Sequence, residues 1–194
     1  MNNTIKKITG VLSIITPFII LFLGLLSFNE NNAYWWHSLS ASYYNKSTFG
    51  AYTICFCSLS FLLILNKELL SKITGILLLM ILIFPCADKT IPLNSEYIGL
   101  FNINYTISNI IHSIASFISL ITITTELIIF LVKSKNKNIY ILSLIMVLLS
   151  TIMIIIETIY HSNGNWSLHW TTIISETILF ISFGCSFYFS GLEN

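Results

Sequence analysis

Residues 157–176 read ETIYHSNGNWSLHWTTIISE. This polar hairpin separates two apolar runs, residues 138–157 and 167–189. Each run is about as long as the 20 or so residues a helix needs to cross a bilayer. The hairpin places Glu157, His161, His169 and Glu176 within twenty residues of a chain otherwise poor in charge. Apolar helix, polar turn and apolar helix together form the repeating unit of a multi-spanning α-helical membrane protein. The rest of the chain reads the same way.

Composition supports that class. Of 194 residues, 55% are hydrophobic and only 9% charged, with mean hydropathy +0.84. A water-soluble surface needs more charge than this, whereas lipid accepts an apolar one. A formal net charge of +1 gives no electrostatic basis for a nucleic-acid partner. All nine cationic side chains are lysines. The absence of arginine, with many Ile and Asn, suits an AT-rich bacterial genome and hence a bacterial plasma membrane. Cys55, Cys57, Cys86 and Cys185 form no metal-binding spacing and read as small buried hydrophobes.

In chain order, six spans are expected over about residues 8–28, 48–65, 73–85, 106–132, 138–157 and 167–189, in one all-α domain. The first run exceeds a signal-peptide core and lacks a small-x-small cleavage site, so it reads as an uncleaved span. Pro17 within it is expected to kink the helix. The first loop, residues 29–47, carries Tyr34, Trp35, Trp36, Tyr43 and Tyr44. It reads either as an interfacial aromatic belt or as a loop that folds into the protein, because His37, Ser38, Ser40 and Ser42 make it more polar than a belt requires.

Lysine sets the orientation. Lys6, Lys7, Lys67, Lys72, Lys133, Lys135 and Lys137 fall on one side, and Lys46 and Lys89 on the other. Seven against two places both termini in the cytoplasm by the positive-inside rule. The loops at 29–47, 86–105 and 159–167 then face outward. His37 and Asp88 lie in those outer loops. His112 falls one to two turns into the fourth span. Glu157 and His161 are four apart, and His169 and Glu176 seven apart, so each pair shares a helix face. Ser108 and His112 are also four apart. Glu126 alone lies deep on the inner side.

A carboxyl within a span costs a few kcal/mol even on lenient insertion scales, about 2.5–3.5 for Asp, so each calls for a partner. His112 or His169 is the expected partner of Glu176. Glu126 is expected to snorkel inward or pair with Lys133. His112, His161 and His169, with Glu176 or Glu157 as general base, have the composition of a zinc hydrolase site. Ser108 or Asp88 would then support the ligands. The set is dispersed over several segments and contains no H-E-x-x-H motif. A haem held by His112 and either His161 or His169 is the other cofactor reading.

Two stretches resemble a known group. Residues 38–51, SLSASYYNKSTFGA, and residues 176–191, ETILFISFGCSFYFSG, are similar to the Ser-Ile-Ser-x-Tyr-Tyr and Phe-Gly-x-Ser-Trp motifs of a family of uncharacterised bacterial six-span integral membrane proteins. Here Ser42 precedes the tyrosine pair and Phe187 replaces the tryptophan. The resemblance implies the six-span fold and carries no established activity. Ser108 and His112 also resemble the Ser-x-x-x-His element of the alkaline ceramidase and progestin/adiponectin receptor superfamily, which implies intramembrane metal hydrolysis. The later histidines do not match that superfamily's spacing, and it has seven spans.

Three functions follow as expectations. The first is a metal-assisted hydrolase of lipid or small-molecule substrates. The second is a small transporter or proton-relay protein using Glu176 and Glu157. The third is a non-catalytic membrane partner or immunity-type protein.

Overall fold

The computed structural model describes residues 3–26, 38–86, 97–98, 101–162 and 170–193. They form six α-helices: α1 (Asn3–Leu26), α2 (Lys46–Leu65), α3 (Leu69–Ile83), α4 (Tyr105–Lys133), α5 (Lys137–Ser162) and α6 (Thr171–Ser190). A 3-10 turn, Ser40–Tyr44, precedes α2. Two two-residue strands, β1 (Tyr97–Ile98) and β2 (Ile103–Asn104), pair antiparallel before α4. Asn102 sits at positive φ in the turn between them, a conformation asparagine tolerates better than most residues.

Five helices are long and apolar enough to cross a membrane. The sixth, α3, has 15 residues and rises about 22 Å at 1.5 Å per residue, short of a hydrocarbon core of about 30 Å. It stops just before Pro85, which has no N–H to continue a helix. Each helix packs against its neighbours in sequence, and α6 returns against α1, so the six form a closed ring. One end of the ring carries Leu39, Pro85 and Glu176; the other carries Lys6, Glu68 and Glu126.

Several boundaries differ from those expected. Helix α1 starts at Asn3 and includes Lys6, because Lys6 is satisfied inside the bundle rather than in a polar leader. Its Nζ lies 3.1 Å from Glu68 Oε1, donates to Ser190 Oγ at 2.7 Å, and sits 4.8 Å above the Phe130 ring. Helix α1 continues unbroken through Pro17. Helix α5 runs on to Ser162, so Glu157 lies within it rather than at its close.

In lipid there is little hydrophobic force between helices, and small or polar residues make the contacts. Gly10 of α1 and Gly184 of α6 cross so closely that a β-carbon on Gly184 would lie 2.6 Å from the Gly10 carbonyl oxygen. Gly75 of α3 meets the Ser60 carbonyl of α2 in the same way, at 2.7 Å. The buried face of α4 runs through Ser108, His112, Ala115, Ser119, Thr122 and Glu126. Successive members are three or four residues apart, a single stripe on a helix. Four of the six bond to α3 or to the two residues that follow it. Ser108 Oγ donates to the Pro85 carbonyl at 2.9 Å. His112 Nδ1 lies 2.8 Å from the Phe84 carbonyl. Thr74 Oγ1 donates to Thr122 Oγ1 at 2.9 Å. Ser71 Oγ donates to Glu126 Oε1.

The described part of the first loop folds into the ring. Leu39, Ala41, Ser42 and Tyr43 are buried. Tyr43 stands edge-on to Tyr44, Phe49 and Tyr52, and the Tyr44 hydroxyl donates to the Cys86 carbonyl at 2.5 Å. This part is a plug at the Glu176 end and not an aromatic belt. Tyr34, Trp35 and Trp36 lie outside the described residues.

Candidate functional site

The buried residues of α5 are Tyr140, Ser143, Val147, Ser150 and Glu157, with half-buried Ile154 in register between the last two. This three-four spacing turns Glu157 inward, where it is 6% exposed and its Oε2 has no hydrogen-bond partner. Glu176, in the second turn of α6, lies within electrostatic range of Glu157. The Leu39 backbone N–H donates to Glu176 Oε2 at 2.5 Å. The loop therefore supplies Glu176 with a main-chain donor; of the two histidines expected to partner it, His169 lies outside the described residues.

Two cavities meet at Glu176. A cleft of about 700 Å³ opens between α4 and α5, lined by residues between His112 and Thr125 on the first and between Leu148 and Ile159 on the second. A central chamber of about 130 Å³ lies behind it. Ser40, Ser116, Leu120, Ile154 and Glu176 border both. The rest of the chamber wall is largely apolar, including Leu59, Leu78, Ile123 and Phe183.

The cleft wall is mixed. Phe117, Ile121, Ile155 and Ile159 are large, exposed and apolar. Ser113, Ser116, Thr124, Thr125, Thr151, Thr158 and Thr172 add hydroxyls. The hydroxyls of Thr124, Thr125, Thr151 and Thr158 each donate to the carbonyl four residues earlier, at 2.8 Å. They are satisfied within their own helices and still offer lone pairs to a ligand. The sequence carried a signal for this wall: Ser113, Phe117, Leu120 and Thr124 repeat at helical spacing, as do Leu148, Thr151, Ile155 and Thr158. Reading charged residues alone passes over it.

The expected site residues separate into groups. Glu176, Ser38, Ser40 and His112 line the cleft. Ser38 Oγ also accepts from the Ala41 N–H at 2.9 Å, capping the 3-10 turn. Tyr43 and Tyr44 are the last two residues of that turn. Ser108 and His112 are engaged by the end of α3. Its last carbonyls have no intrahelical N–H, and α4 supplies the donors. A carbonyl only accepts, so His112 Nδ1 carries the hydrogen and Nε2 is the lone-pair nitrogen of the neutral ring. Glu126, 1% exposed, turns to Ser71 rather than to Lys133. His37, Asp88 and His169 lie outside the described residues, as does the side chain of His161. Among the described residues, no three His, Cys, Asp or Glu side chains come together as a metal site.

The chain matches no protein-family model, no curated protein and no solved structure.

Proposed function

We propose that this chain is a multi-pass protein of a bacterial plasma membrane that binds an amphiphilic small molecule from the bilayer. The α4–α5 cleft is the site and Glu176 its polar anchor. One observation carries the reading: the cleft of about 700 Å³ opens among exposed lipid-facing side chains and ends at a carboxyl. Ligand sites of about 300–1,000 Å³, mostly apolar with a few placed polar groups, are the usual form.

Six spans with both termini in the cytoplasm put the cleft in the outer half of the membrane. The lysine distribution supports this orientation. A cysteine at Asn136 in an otherwise cysteine-free chain would then react with an impermeant thiol reagent only from the cytoplasmic side, and one at Asn165 only from outside.

The described residues favour binding over the other two activities. A transport path needs a polar lining, and Leu59, Leu78, Ile123 and Phe183 make the chamber wall largely apolar. A zinc hydrolase needs several ligands around one point, and among the described residues no three His, Cys, Asp or Glu side chains come together.

Ser116 borders both cavities, and Ser116→Phe would fill their junction. Native mass spectrometry of wild-type protein is expected to show a co-purifying amphiphile, which Ser116→Phe reduces several-fold at unchanged helix content. Equal occupancy in both proteins would sink the reading.

A further inference from the structure

We propose that the cleft selects a cationic amphiphile, a single alkyl chain with a primary ammonium head. The head sits on Glu176 and the chain lies between α4 and α5. This rests on the cleft-binding reading above and adds the charge and shape of the ligand.

Among the described residues, Glu176 is the only acidic or basic side chain bordering both cavities. Glu157, buried and with Oε2 unpartnered, lies within electrostatic range of it. Every lysine whose side chain is described, from Lys6 to Lys137, lies toward the opposite end of the ring. Carboxylates in a low-dielectric site need an opposite charge, and no described side chain of this half provides one. An ammonium head would. It would also find the Ser40 and Ser116 hydroxyls at the same junction. A carboxylate or phosphate head would gain no such pairing. The volume, within the range of small-ligand pockets, suits one chain along Phe117, Ile121, Ile155 and Ile159 rather than a whole two-chain lipid.

The test uses the full chain in nanodiscs of zwitterionic lipid. Dodecylamine, dodecanol and dodecanoic acid, each carrying a mid-chain diazirine, are photolysed in turn, and labelled peptides are mapped. The amine probe is expected to label the cleft segments of α4 and α5 about tenfold more than the alcohol, as a charge-assisted hydrogen bond implies. In Glu176→Gln, which keeps an acceptor for the Leu39 N–H, the amine should fall to the level of the alcohol. Equal labelling by all three probes, or preference for the acid, would overturn the ammonium proposal while leaving amphiphile binding intact. No labelling of the cleft by any probe would overturn both. The wild-type comparison decides the sign without relying on a variant that must fold.

Discussion

Replacing His112 by alanine removes the donor that Nδ1 presents to the Phe84 carbonyl at 2.8 Å. Ser108→Ala does the same for the Pro85 carbonyl, one residue further along. Both carbonyls lie at the end of α3, where Pro85 and the helix terminus leave no backbone N–H to take over. Side-chain hydrogen bonds between membrane helices average about 0.6 kcal/mol and reach about 1.7, while an acceptor left buried and unsatisfied costs about 1–3 kcal/mol. Ser108 is fully buried, so water cannot replace its bond, and Ser108→Ala should cost about 1–2 kcal/mol. His112 borders the cleft, so its loss is partly relieved, and His112→Ala should cost about 1 kcal/mol. The two act on adjacent carbonyls, and the double variant should depart from additivity by about 0.5 kcal/mol or more. Reversible unfolding in mixed micelles, followed by helical circular dichroism against denaturing detergent, measures all three. His112→Gln, which keeps an N–H donor, should recover part of the loss. Metal content of the purified protein should not differ between wild type and His112→Ala. A His112→Ala protein as stable as wild type that has lost a bound metal would refute the bracing role and make the imidazole a ligand.

Other consequences follow from the same contacts. Gly184→Leu places a β-carbon 2.6 Å from the Gly10 carbonyl oxygen, backbone that cannot rotate away, and should cost about 1–3 kcal/mol by overpacking; an unchanged unfolding midpoint would disprove the close crossing. Lys6→Ala removes a cation that is 4% exposed and bonded to Glu68 and Ser190, so it should destabilise equally at low and high salt, because mobile ions screen buried pairs weakly. A loss that disappears in high salt would mean Lys6 is a surface charge. Glu126→Gln retains an acceptor for Ser71 and should be tolerated, whereas Glu126→Leu strands the Ser71 hydroxyl and should cost about 1–3 kcal/mol in the same assay; equal stability of the two would remove Glu126 from the α3–α4 seam.

Membrane character was legible because it rests on composition and run length, and lipid imposes both directly. The faces of the helices were legible in principle. On α4 the stripe Ser108, His112, Ala115, Ser119, Thr122, Glu126 is a single three-four progression in the sequence itself. The sequence did not reveal what that stripe is for. Helix interfaces in lipid use the residues that binding sites use, small side chains, hydroxyls and an occasional ionisable group. Ser108, His112 and Glu126 read equally well as chemistry or as packing until their partners are known. Those partners are the hydroxyl of Ser71 and the carbonyls of Phe84 and Pro85. A main-chain carbonyl has no signature in sequence, and Pro85 hints at one only by ending the helix that exposes it.

Glu176 shows the same limit from the other side. Its donor is the backbone N–H of Leu39, 137 residues away, which no side-chain pattern announces. The neighbour it does share with the sequence reading is Glu157, placed inward by the spacing of α5. Two carboxyls brought together without a described lysine nearby are costly for a purely structural role, since an apolar pair of similar volume would pack the same helices without placing charge in lipid. The α4 seam differs. There each described polar group, one oxygen of Glu126 aside, ends on a protein partner, and the seam is explained by the fold. At Glu157 and Glu176 the described residues supply one donor, the Leu39 N–H, beside a cavity large enough for a ligand. That imbalance distinguishes the cleft from the other polar positions of the bundle and makes it the place to look for function.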